Sequence, residues 1–138
     1  MNLWTRRIGG LTMTMLIVLS SSQNAMATEN NVPIMRIFEF AFAPSDVQPI
    51  LEAGRKNIET SVRDEPGVVS MYCAIDKHDP TKLYVVEVYR DQAAYQAHVE
   101  SAHFKAFLGA IQGKVISRQV METSPAVLGA KTFSWPGQ

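Results

Sequence analysis

Three polar side chains stand in apolar company. Glu87 lies in the run Leu83–Arg90, between Val85, Val86, Val88 and Tyr89. A carboxylate there is costly to bury unless it is paired or protonated. It therefore needs a histidine, Arg36 or a ligand beside it, or a sheet edge open to water. His98 and His103 bracket Ser101, a residue type that stops one helix and caps the next. His98 falls near a helix C-terminus, where the dipole favours imidazolium, and His103 in a first turn, where it does not. Two imidazoles in opposed fields suit general acid–base work near neutral pH. The plainer reading makes both of them helix-terminal caps or core hydrogen-bond donors.

Other chemistries find less support. The five-residue spacing, interrupted by Ser101, does not put both histidines on one helical face, so no metal site is expected. No local motif marks a Ser or Cys nucleophile, and no glycine-rich loop offers to hold a phosphate. Cys73, the single cysteine, lies on an apolar strand face and reads as a small buried hydrophobe. Tyr72, Tyr89 and Tyr95 are candidates to line a pocket for a flat aromatic ligand, although aromatics beside a core are usually packing.

These residues need elements to position them. Val32–Phe42 reads as a strand, followed by a helix to about Arg63 with Ser45-Asp46 as its cap. Val47, Ile50, Leu51, Gly54, Ile58 and Val62 give that helix its apolar stripe. Glu65-Pro66-Gly67 turns the chain into a hairpin, Val68–Asp76 with Leu83–Arg90. Two short helices capped by Asp91 and Ser101 come next, Gly113 ends the second, and Val115–Glu122 is a last strand. The apolar tail with Val127, Leu128, Phe133 and Trp135 is expected to pack somewhere. The order β-α-β-β-α-β, its second helix broken, is the ferredoxin-like α+β plan.

Residues 1–27 are set apart from this domain, which spans 28–138. Arg6-Arg7, an apolar run from Ile8 to Leu19 and Ala25-Met26-Ala27 form the three parts of a secretory signal peptide cleaved after Ala27. The run is too short to remain as an anchor. The protein is expected to be periplasmic or secreted, with no membrane span in the mature chain. The whole sequence has 13 basic and 13 acidic residues; the leader removes two arginines and no acid, leaving 11 against 13. That balance argues against a nucleic-acid partner.

Neither hairpin strand shows a solvated face, while the helices can cover only one. The other face is expected to meet a second copy, giving a homodimer.

Glu65-Pro66-Gly67, Tyr72, Asp79-Pro80, Glu87-Val88-Tyr89, Asp91, Ala94, His98, Ser101 and His103-Phe104-Lys105 together resemble the antibiotic biosynthesis monooxygenase (ABM) domain, most closely its small quinol monooxygenase branch. The resemblance covers about Ile34 to Val127. It implies a dimeric α+β barrel of ferredoxin-like subunits. It also implies oxidation of a quinol or phenolic aromatic by dioxygen, with no cofactor and no metal. In that scheme His98 is the base or substrate partner, His103 the second acid–base group, and Glu87 orients a histidine. Tyr72, Tyr89, Arg36 and Phe104 contact the substrate. Haem degradation is not expected, because Leu108 stands where that branch has its axial histidine. Two alternatives share the fold: a non-catalytic small-molecule-binding dimer, and a sugar-ketone isomerase using Arg36, Lys105 or Arg118 for a phosphate.

Overall fold

A computed structural model describes residues 31–131. The leader, Phe133 and Trp135 lie outside the described residues. The chain runs β1 (Ile34–Phe42), α1 (Pro44–Asp64), β2 (Val68–Ile75), β3 (Lys82–Tyr89), α2 (Gln92–Glu100), α3 (Ala102–Ile111) and β4 (Val115–Thr123). All three strand pairings are antiparallel, in the order β2-β3-β1-β4. No described helix is long and apolar enough to cross a membrane.

β1 is a central strand because its alternation is strict. Phe38, Phe40 and Phe42 point to the helix side and are buried with Val47 and Ile50 of α1, Leu83 of β3 and Ile111 of α3. Burying each large side chain is worth about 2–3 kcal/mol. Across the sheet, Arg36 stands opposite Glu87 and Ile34 opposite Tyr89. A second, smaller core of Met71, Tyr89 and Ala94 lies at that end of the sheet.

Local chemistry sets the helix ends. Helix α1 begins at Pro44, earlier than the Ser45-Asp46 cap expected from sequence: Pro occupies the first-turn position where a missing N–H costs nothing, and Asp46 favours the dipole from within the first turn. Pro49 sits a turn further in and leaves the Ser45 carbonyl without its helical donor. Asp91 caps α2 by accepting from Ala94 N–H at 2.8 Å. Ser101 ends α2 with its N–H on the His98 carbonyl and opens α3 by accepting from Phe104 N–H at 3.3 Å. Gly113 leaves α3 at φ +74°, where a side chain would be strained.

The expected barrel is not there. The four strands form an open sheet with β2 and β4 as its edges, and no described pairing closes it. Closure needs a staggered ladder running round to its starting strand. Counting apolar faces asked only what covers a face and said nothing about edges. One face does lack a helix; Tyr72 and Met121 stand on it, 57% and 56% exposed. Cys73 is exposed, not buried, because β2 is an edge strand with only Met71 buried. Val127 and Leu128 are exposed as well, so this stretch of the tail does not pack as expected.

Gly67 joins the turn after α1 to α2. Its carbonyl accepts from Arg90 N–H at 2.9 Å, and a Cβ built on it would collide with the Cβ of Ala94. Gly67→Ala is expected to cost about 1–3 kcal/mol, the usual range for overpacking. The urea midpoint measures this; an unchanged midpoint would show that the turn and α2 do not touch in solution.

Candidate functional site

Helix α1 ends on Glu65, whose N–H caps back to the Ser61 carbonyl at 3.0 Å. Its carboxylate reaches both histidines across the α2–α3 break. Oε1 lies 2.8 Å from Nδ1 of His98 and 2.7 Å from Nε2 of His103. A carboxylate only accepts, so both ring nitrogens carry their protons toward it. Ser61 supports the pair from one turn earlier. Its hydroxyl donates to the Asn57 carbonyl at 2.7 Å, and its Oγ lies 3.1 Å from His103 Nε2. Burial alone would push the Glu65 carboxyl up; the hydrogen bonds from His98 and His103 outweigh it and hold the group below the usual carboxylate range. The three ligand atoms of Glu65, His98 and His103 lie within 4.8 Å of one another, near enough to share a cation, so the five-residue spacing does not keep the two rings apart as the sequence reading expects.

With Nδ1 protonated, Nε2 of neutral His98 is an acceptor. His98 is wholly buried, and this nitrogen has no hydrogen-bond partner. The ring packs against Phe104 at 4.6 Å and Tyr89 at 5.5 Å between centroids. It lines a cavity of about 210 Å³ between sheet and helices, walled mainly by Phe38, Phe40, Phe104, Phe107 and Leu108. Arg36, Asn57 and Glu87 add polar groups to that wall, and Tyr95 and Arg118 also face it.

Glu87 lies on an inner strand and is 8% exposed, which removes the reading of a wet sheet edge. Burial pushes its carboxyl up, against the pull of a 2.8 Å hydrogen bond from Tyr89 and of nearby basic groups. Burial, then the Glu87 charge, keeps the Tyr89 phenol protonated far above its ordinary range. Sequence reading gave the orienting of a histidine to Glu87; the geometry gives it to Glu65.

The other expected contacts divide. Arg36, Phe104, Glu87 and His98 meet at the cavity, and His103 joins through Glu65. Tyr89 is buried in the smaller core beside His98, and Tyr72 projects from the opposite face of the sheet. Sequence reasoning missed Glu65 as an acceptor, and with it Asn57 and Ser61. The available signal was the helix stripe itself, which turns from apolar to Asn57 and Ser61 as α1 nears its end.

Glu65→Gln is expected to cost about 1–3 kcal/mol at neutral pH, because a charged acceptor of two N–H groups is lost. Its carboxyl is depressed on folding. The wild-type advantage is therefore full above the unfolded carboxylate value of about 4.3 and fades as pH falls through the lower folded value. Glu87→Gln, replacing a carboxyl raised by burial, is expected to hold or gain stability at neutral pH. Urea titrations of both variants from acid to neutral pH check this; equal losses would overturn the assignment of roles.

The family model for antibiotic biosynthesis monooxygenase matches residues 33–110, more than half of the chain. Among solved structures, a candidate antibiotic biosynthesis monooxygenase of Bacteroides thetaiotaomicron VPI-5482 is similar at 26% identity and TM-score 0.69, over 74% of this chain and 97% of that one. A candidate monooxygenase of Lactobacillus acidophilus NCFM aligns at 29% identity and TM-score 0.65, over 67% of this chain and 44% of that one. A Nitrosomonas europaea candidate of the same description shares the fold at 22% identity and TM-score 0.65, over 70% of this chain and 92% of that one. No curated protein matches the chain. The sheet order, the split helix and the matched segment lead to one conclusion: the chain belongs to the antibiotic biosynthesis monooxygenase family.

Proposed function

We propose that this protein oxygenates a quinol or phenolic aromatic with dioxygen, using protein groups alone. One observation carries the reading: a buried, unpartnered imidazole nitrogen, His98 Nε2, on a side chain that lines an apolar cavity and whose other nitrogen donates to a carboxylate.

The phenolic hydroxyl of a bound substrate donates to Nε2 and gives up its proton. The imidazolium so formed is stabilised by Glu65, which already accepts from Nδ1. His103 donates to the same carboxylate oxygen and holds it in position for His98. The apolar walls disfavour a localised charge and hold the ring in place. The electron-rich phenolate passes an electron to dioxygen, and the radical pair recombines to form a carbon–oxygen bond. The resulting peroxide, once protonated, loses water: the ring C–H proton leaves, the O–O bond breaks, and a carbonyl forms. One oxygen atom ends in the quinone and the other in water, the substrate supplying all the electrons. Arg36 and Phe104 contact the ring in this scheme. Tyr89 contributes through Glu87.

Oxygen uptake by purified, metal-stripped protein with a panel of hydroquinones tests the proposal, with autoxidation subtracted. His98→Ala is expected to lower uptake by about 10²–10⁴-fold, the usual worth of a general base. Uptake retained in that variant would remove His98 from the mechanism. Binding without uptake across the panel would favour the non-catalytic binding module.

A further inference from the structure

Among the described residues, three buried side-chain polar atoms lack a hydrogen-bond partner: Nε of Arg36, Oδ1 of Asn57 and Nε2 of His98. All three belong to side chains that line the one cavity. Folded interiors leave few such atoms, and three on side chains that line one cavity point to a site completed by polar groups that a ligand brings.

The rest of Arg36 is held in place. Nη1 donates to the Tyr95 hydroxyl at 2.6 Å, Nη2 donates to Glu122 at 2.9 Å, and the guanidinium carbon lies 3.9 Å from the centre of the Tyr95 ring. The Nε–H is thus a fixed donor with no acceptor. Asn57 Oδ1 and His98 Nε2 are acceptors with no donor. Asn57 is 5% exposed and sits on the buried face of α1, two turns before Glu65. Arg118 adds a second cation to the same wall, 5.4 Å from the Phe38 ring centre. An apolar cavity of about 150 Å³ takes one benzene ring. The cavity here, about 210 Å³, takes a single substituted ring.

Resting on the reading of the cavity as a quinol site, we propose that its ligand is a hydroxylated aromatic acid. Its hydroxyls donate to His98 Nε2 and Asn57 Oδ1, and its carboxylate accepts from Arg36 Nε. Arg36 and Asn57 then select the substrate, while His98 both binds it and takes its proton.

Equilibrium dialysis without oxygen separates binding from turnover. Three probes suffice: 2,5-dihydroxybenzoate, 1,4-dihydroxybenzene and benzoate. The dihydroxy acid is expected to bind at least about 10-fold more tightly than either of the others. Arg36→Met should erase its advantage over dihydroxybenzene. Arg36→Lys should not restore that advantage, since it keeps the charge and loses the Nε–H. Asn57→Leu should shrink the advantage over benzoate and leave the carboxylate preference. Melting curves show whether each variant folds, and should Arg36→Met fail to, Arg36→Lys carries the test. Equal affinities in the wild type, no binding of any probe, or a carboxylate preference surviving both Arg36 variants would overturn the proposal. If the acid binds with this pattern and no oxygen is consumed when air is admitted, the ligand class stands and the oxygenase reading falls.

Discussion

Oε1 of Glu65 accepts from imidazoles on two different helices, and the site is arranged around that double acceptance. The carboxylate fixes which nitrogen of His98 carries the proton, and so leaves the other without a partner on a side chain that lines the cavity. It can do so only because Ser101 breaks the helix. In one continuous helix, residues five apart point in different directions. Here the chain turns between α2 and α3, and both rings converge on the end of α1.

The sheet supplies the complement. β1 and β3 carry Phe38, Phe40 and Val85 on the helix side, and the same alternation places Arg36 and Glu87 opposite each other at one end. The cavity lies where the aromatic core gives way to these charged residues. Its polar groups come from β1, α1, β3, α2 and β4, elements far apart in the chain, so no short motif contains the site.

That dispersal explains what was legible in sequence. The strands, helix caps and turns were readable because alternation, Asp91, Ser101 and Gly113 act locally. His98 and Glu87 are readable as candidates because one is an imidazole at a helix end and the other a carboxylate in apolar company, whereas Arg36 and Phe104 enter as substrate contacts through the family resemblance. Tyr72 was misjudged for a simple reason: successive residues on β2 face opposite sides, and Tyr72 shares its side with Val86, not with Glu87. Glu65 was hidden by its neighbours Pro66 and Gly67, which mark a turn strongly enough to explain the residue locally. Its link to the histidines spans 33 and 38 residues, a distance over which sequence spacing carries no signal. The open sheet was missed because burial patterns describe faces, whereas closure is a property of edges.

Asn57, Ser61 and Glu65 follow one another at intervals of four along α1 and its cap. A single stiff rod therefore carries a group facing the cavity at one level and the groups facing the histidines at the next. Any displacement of the rod is felt at both levels together. Altering what the cavity accepts by repacking α1 would also alter the basicity of the imidazole, and a change made to tune the imidazole would reshape the cavity. Selectivity and reactivity are geared to one shaft, and a chain that diversifies its substrates can decouple them only by substitutions on the sheet.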